Sequence, residues 1–335
     1  MACYKKTHHN TKLFSNVLLI MASLLALIIP GYILRKLKLF TDGAVAGMVS
    51  ILLYICQPLL SITPFLDQDS PSANIVILMG LCFLISFFGH IAVFALAKLI
   101  FFKWKNIESA SAYTFASVFT NCGFLGLPFI KMLTNSSEAM LFAIMYNISF
   151  NILMWTLGIY ILTKDKKAIS FKKAFINPAI VPLVISFPLF FFPSINIISG
   201  TPIENSINLL ANMSAPISMI VVGIRLADIG LLNAIKGIGN YIGSFVRLII
   251  APALMIGLAI LLRLIPYFSN SSLGLLCLAV PVILMGMPPA SLLVTFAEKT
   301  GRARVDSTRI FITATLLSVI SVPLLIMTIK AIGLV

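Results

Sequence analysis

The sequence predicts an all-α integral membrane protein with ten transmembrane helices. They form two inverted five-helix repeats, and the fourth and ninth helices are broken and cross. Three observations predict this. Of the 335 residues, 60% are hydrophobic and only 10% are charged, whereas a soluble domain is typically ~45–50% apolar and ~25% charged. The apolar residues gather in runs near the ~20 residues that one helical crossing requires. Glycine and proline interrupt the same helix in each half.

The runs are 13–34, 43–66, 75–102, 109–131, 137–162, 175–193, 203–226, 239–263, 272–297 and 307–329. The first follows a basic start, but it is too long for a signal h-region and lacks a small-x-small cleavage site, so it reads as a retained helix. The second carries Gln57-Pro58, the fifth Asn147 and Asn151, the seventh Ala215-Pro216, and the eighth Arg247. In the third, Ile75–Ala97 is apolar around its whole circumference except for Ser86, His90 and two glycines. Such a run excludes the alternating pattern of an outer-membrane barrel strand. Connections are short, and no soluble domain is inserted between the spans.

The longest charged connection, 163–173, carries Lys164, Lys166, Lys167, Lys172 and Lys173. It divides the chain into a first repeat, 13–162, a linker, 163–174, and a second repeat, 175–330. Seventeen of the 24 Lys and Arg flank the odd-numbered connections, and six flank the other side. That bias places the odd connections in the cytoplasm and both termini outside, in a plasma membrane protein. The net charge of +14 is therefore read as a marker of topology, with no nucleic-acid partner implied. Because each repeat has an odd number of spans, the second must be inverted relative to the first, as in many secondary transporters.

The internal match is local. A shift of 160 superposes Gly126-Leu-Pro128 on Gly286-Met-Pro288 and sets Asn121 opposite Pro281. Proline removes an N–H and clashes with the preceding turn. Backbone freed in this way inside a bilayer must be buried in protein or line a wet cavity. At 1.5 Å per residue, Asn121 lies ~18 Å and Pro281 ~14 Å into their spans, near the middle of a core ~30 Å thick. Half-helix N-termini at that depth favour an anion. The expected central site consists of Asn121, Gly123, Gly126 and Pro128 on one side and Pro281, Gly286 and Pro288 on the other.

The segment Thr120-Asn121-Cys-Gly123-Phe-Leu-Gly126-Leu-Pro128 resembles the fourth-helix signature of the auxin efflux carrier family. Similar likeness is found in Ala215-Pro216 with Gly223 and Leu226, in Pro288-Pro289-Ala290, and in the tenth span from Ser307 to Pro323. These matches cover the chain in order. The resemblance implies a permease that moves a small organic anion, such as malate, another mono- or dicarboxylate or an auxin-like acid, by alternating access. It also implies a scaffold and a transport domain, with spans two and seven supplying scaffold and homodimer contacts. The long cytoplasmic insertion of the plant exporters is missing here.

The polar residues within spans have competing readings. Asn121 either contacts ligand or caps freed backbone, and the two roles are compatible. Asn147 and Asn151, four apart, share one helix face and either line the cavity or bond neighbouring helices. The family's polar position on the fifth helix matches Asn151. Gln57 resembles a cavity-facing position. His90 is either a proton-coupling candidate or a neutral histidine bonded to a neighbouring helix, and the second is the expectation. Arg247 is expected to snorkel to the cytoplasmic face rather than attract an anion. Arg225 and Asp228, three apart, are expected to pair.

No acidic residue lies near either break, which disfavours an antiporter built on buried carboxylates. A sodium- or proton-coupled symporter or antiporter of the same architecture, and a receptor that transports nothing, remain as alternatives. No phosphate loop, metal cluster or nucleophile constellation is evident, so neither enzymatic activity nor a cofactor is expected. Four of the five cysteines sit within spans as small apolar residues.

Overall fold

A computed structural model describes residues 2–66, 72–169, 180–192 and 200–334, together with 172, 176 and 198. The described chain is helical throughout, apart from one isolated β-bridge. Seven helices are long and apolar enough to cross a membrane. They are α1 (Phe14–Lys36), α2 (Asp42–Leu66), α3 (Ala73–Phe101), α5 (Ser137–Thr163), α7 (Pro202–Ile229), α8 (Ile238–Arg263) and α10 (Arg304–Ala331). The fourth expected span is two helices, α4a (Ile107–Val118) and α4b (Cys122–Thr134). The ninth is likewise α9a (Ser272–Met285) and α9b (Leu292–Thr300). Of the sixth, α6 is described over Val181–Phe191, and the rest of 175–193 lies largely outside the described residues, as does Lys173 of the linker.

Helix starts follow side-chain caps. Thr41, Ser72, Asn106, Ser136 and Ser271 each accept from a first-turn N–H of the helix that follows, satisfying donors the helix itself cannot. Prolines explain most of the interruptions within helices. A proline ring clashes with the carbonyl four residues earlier and offers it no N–H. Widened π-helical turns lie at Leu52–Cys56, Cys122–Gly126 and Val246–Ile250, and each contains the residue four before Pro58, Pro128 or Pro252. Pro30 and Pro216 act on Ala26 and Asn212, where helical runs end. A fourth widened turn, Met154–Gly158, has no such proline.

Two sets of helix contacts stand out, joined where the first part of α1 packs on α10. In one, α1 lies on α7, and α2 lies on α6 and the first part of α7. Here Gly31 faces the carbonyl of Ile220, and Gly223 faces that of Ile28, so closely that a Cβ at either position would overlap backbone. In the other group α3, α5 and α9a pack together, and α10 packs on α4a and α8. Helix α5 is central, with 72% of its most apolar stretch buried against 33% for α1 and α2. Outward faces carry large apolar side chains such as Leu19, Ile77, Phe88, Leu261 and Ile320, as lipid contact requires. Arg35 ties three helix ends together, donating to Asp42 and Asp228 at 2.6 Å each. Asp228, expected to pair with Arg225, thus has Arg35 as a partner.

Candidate functional site

The two breaks meet. Thr120 bridges antiparallel to Pro289. The Asn121 N–H donates to the Pro288 carbonyl at 2.7 Å, and the Ala290 N–H donates to the Phe119 carbonyl at 2.9 Å. Backbone groups that neither helix can satisfy are thereby paired with each other, as an apolar interior demands.

The position of the breaks corrects the sequence reading. The non-helical segments are 119–121 and 286–291, not 121–128 and 281–289. Pro128 lies within α4b, just after its widened first turn, and Pro281 lies inside α9a, which continues to Met285. Two successive prolines, Pro288 and Pro289, each force the preceding residue to extend, and they end α9a. The bridge relates residues 169 apart (289 less 120). The 160-residue shift sets a helical stretch, Gly126-Leu-Pro128, against Gly286-Met-Pro288, which follows the end of α9a. No proline or glycine ends α4a at Val118, so sequence offers no local signal there. Pairing with 288–290 holds that break.

Beside the bridge, between the two helix groups, lies a cavity of about 210 Å³. Five of the expected residues, Gln57, Asn121, Gly123, Asn147 and Asn151, line it together. Thr120, Ser291 and Thr295 add hydroxyls, and Tyr54, Phe150, Trp155 and Phe296 add aromatic wall. These seven were not singled out from sequence. Ser291 and Thr295 stand four apart just beyond Pro288-Pro289, and that spacing after a double proline is the signal available. Among the described lining residues, none is acidic. Gly123 at the start of α4b and Ser291-Leu292 at the start of α9b form part of the wall, so two helix N-termini open on the same space. Neither Asn121 nor Ser291 caps its helix with its side chain.

The other expected residues build the crossing and do not line the cavity. Gly126 lies under Leu284, where a Cβ would come within 2.6 Å. Gly286 abuts Leu325 of α10. Pro288 presents its carbonyl to Asn121, and Pro128 leaves carbonyls without donors. Two helices answer the latter. Gln57 Nε2 donates to the Gly123 carbonyl at 2.9 Å and to Ser214 Oγ at 3.0 Å, and Ser218 Oγ shares its one proton between the Ala215 carbonyl of its own helix at 2.9 Å and the Phe124 carbonyl at 3.2 Å. Gly123 and Phe124 are the residues whose carbonyls Pro128 would serve in a π- or α-helical turn. Gln57 therefore both lines the cavity and braces the break. Asn151 Nδ2 donates to the Asn147 carbonyl at 2.8 Å and to its Oδ1 at 3.2 Å, and Cys122 Sγ donates to the same Oδ1 at 3.4 Å.

His90 is wholly buried and outside the cavity. Its Nδ1 lies 2.7 Å from the Ser86 carbonyl, one turn earlier on its own helix and not on a neighbouring one. Its ring lies against Tyr146, centroids 4.8 Å apart, and Tyr146 Oη lies 3.5 Å from Thr120 Oγ1 at the break. Arg247 does not snorkel: it is fully buried and donates from Nη1 to the Ser117 carbonyl at 2.7 Å. The last turn of α4a, with its unpaired carbonyls, holds the guanidinium inside.

Two further cavities continue from the first. A narrow one of about 40 Å³ shares Asn121, Ser291 and Thr295 with it and reaches Arg225. An open one of about 530 Å³ shares Arg225 and Val294 with the narrow one and is lined by Asp228, Arg304 and Arg309. A family model described as membrane transport protein matches residues 17–171 and again 166–326, the two segments overlapping in the lysine-rich connection. No curated protein matches the chain.

Proposed function

The chain belongs to this membrane transport protein family, that of the auxin efflux carriers, and from that premise we propose that it carries a small organic anion through the cavity at the crossing by alternating access. The observation that carries the proposal is the convergence of two half-helix N-termini, at Cys122 and Leu292, on one buried space without acidic lining. Helix N-termini present free N–H groups and a partial positive charge, and they bind carboxylates. Amides of Asn121, Asn147 and Asn151 add donors without adding charge. Tyr54, Trp155 and Phe296 suit an acid with an apolar body. A space of about 210 Å³ is below the ~300–1,000 Å³ of drug-sized pockets, which favours a small mono- or dicarboxylate.

In this account the chain spans a plasma membrane ten times as two inverted repeats, 13–162 and 175–330, with both termini outside and 163–174 cytoplasmic. The group of α1, α2, α6 and α7 is the scaffold and the site of any homodimer contact, and the other helices move against it. The arginine-lined cavity is the cytoplasmic mouth, where positive charge raises the local anion concentration. Thermal unfolding of purified protein against a panel of mono- and dicarboxylates tests the binding step, since a ligand of the folded state raises stability with concentration. At least one acid should raise the midpoint in wild type and fail to do so in Asn121→Ala. A panel without effect, or an equal effect in the variant, contradicts the proposed site.

A further inference from the structure

Among the described residues, Arg247 is the largest of the fully buried side chains. One of its nitrogens, Nη1, holds the Ser117 carbonyl at 2.7 Å, while Nε and Nη2 have no hydrogen-bond partner. An arginine stays charged in a protein, and a buried charge persists only when something compensates it. Among the described residues, no carboxylate bonds this guanidinium. What faces it is the C-terminal end of α4a, cut short at Val118 by the break.

A helix C-terminus carries partial negative charge and carbonyls without donors. Around this break, the Phe115 carbonyl takes the Phe119 N–H and the Phe119 carbonyl takes the Ala290 N–H. Ser117 lies between them and takes Arg247. The corresponding end of α9a closes on itself, because Gly286 and Met287 donate back to Val282, Ile283 and Leu284. At the α4a end, a carbonyl is instead served by a cation from outside the crossing. In broken-helix transporters, such half-helix C-termini and unwound carbonyls are where a coupling Na⁺ is held.

We infer that Arg247 is a resident counter-cation for the broken fourth helix, filling with a fixed guanidinium the place in which a coupling sodium would otherwise sit. The carrier then works without sodium, and a neutral side chain at position 247 exposes a sodium site made of carbonyls. The inference deepens the transport reading but is tested separately from it, because sodium binding is measured with no organic acid present.

The test is thermal unfolding of the purified full chain in sodium chloride and in choline chloride of equal ionic strength. Wild type should unfold at the same midpoint in both. Arg247→Met should unfold earlier in choline and recover by roughly 2–4 °C in sodium, the shift expected for about a tenfold ligand effect. Arg247→Lys, which keeps the charge, should fold and show no preference for sodium. Sodium stabilisation of wild type overturns the inference, as does an Arg247→Met variant indifferent to sodium. If both variants fail to fold, the forked geometry rather than the charge is required, and the inference is again overturned. A carboxylate panel without effect would sink the proposed function and leave this result standing.

Discussion

If Gln57 braces the carbonyls that Pro128 strands, its worth depends on the proline being there. Gln57→Leu keeps the side chain's approximate volume and removes the donor 2.9 Å from the Gly123 carbonyl. A buried carbonyl left without a partner costs about 1–3 kcal/mol, and interhelical hydrogen bonds in membranes fall at the low end of such ranges, near 0.6–1.7 kcal/mol. A loss of about 1 kcal/mol is therefore expected, or roughly 1–2 °C in unfolding midpoint for a chain of 335 residues. Pro128→Ala restores a backbone N–H inside the same turn and lets the helix serve its own carbonyls. In that background Gln57→Leu should cost markedly less, so the double-mutant cycle should show coupling of about 0.5–1 kcal/mol. Trp104 and Trp155 provide the fluorescence signal for the four unfolding curves. Equal cost in both backgrounds would refute the bracing role and return Gln57 to a residue that only lines the cavity.

Other expectations follow from the same geometry. Gly223→Val should destabilise the α1–α7 contact by ~1–3 kcal/mol or more, since its Cβ would meet the Ile28 carbonyl; Gly257→Val, which meets nothing, should be neutral in the same unfolding assay. Arg304→Gln and Arg309→Gln should slow carboxylate uptake about tenfold or less at low ionic strength and little at high, because steering by a charged mouth is screened by salt; uptake slowed equally at all salt concentrations would argue against steering. Ser218→Ala should lower the unfolding midpoint for the same reason as Gln57→Leu, and Pro128→Ala should again suppress the loss.

Much of the architecture was legible because its causes are local. Apolar runs gave the seven long helices, and the Ser, Thr and Asn caps and the prolines behind three widened turns act within one or two turns of where they stand. Asn121, Asn147, Asn151 and Gln57 were visible as polar side chains out of place in apolar spans, and they converge. What sequence could not reveal depends on pairing between distant segments. The break at 119–121 has no proline of its own and exists because 288–290 completes its hydrogen bonds. Arg247 looked close enough to an end of its span to reach water; its partner is a carbonyl 130 positions away, on a helix end that exists only because of that break. Gly126, Pro128, Pro281, Gly286 and Pro288 were recognised as special, but what they shape is the crossing, and Thr120, Ser291 and Thr295 stand nearer the space itself.

The central claim is that an organic anion crosses the membrane through the cavity at the bridge between Thr120 and Pro289. Counterflow in proteoliposomes tests it most directly, with wild type and Asn121→Ala loaded with each unlabelled mono- or dicarboxylate and given the labelled acid outside. Wild type should accumulate at least one labelled acid transiently above equilibrium, and Asn121→Ala, reconstituted to the same level, should lose most of that accumulation. Accumulation of none of the acids by wild type, or undiminished accumulation by the variant, would contradict the account.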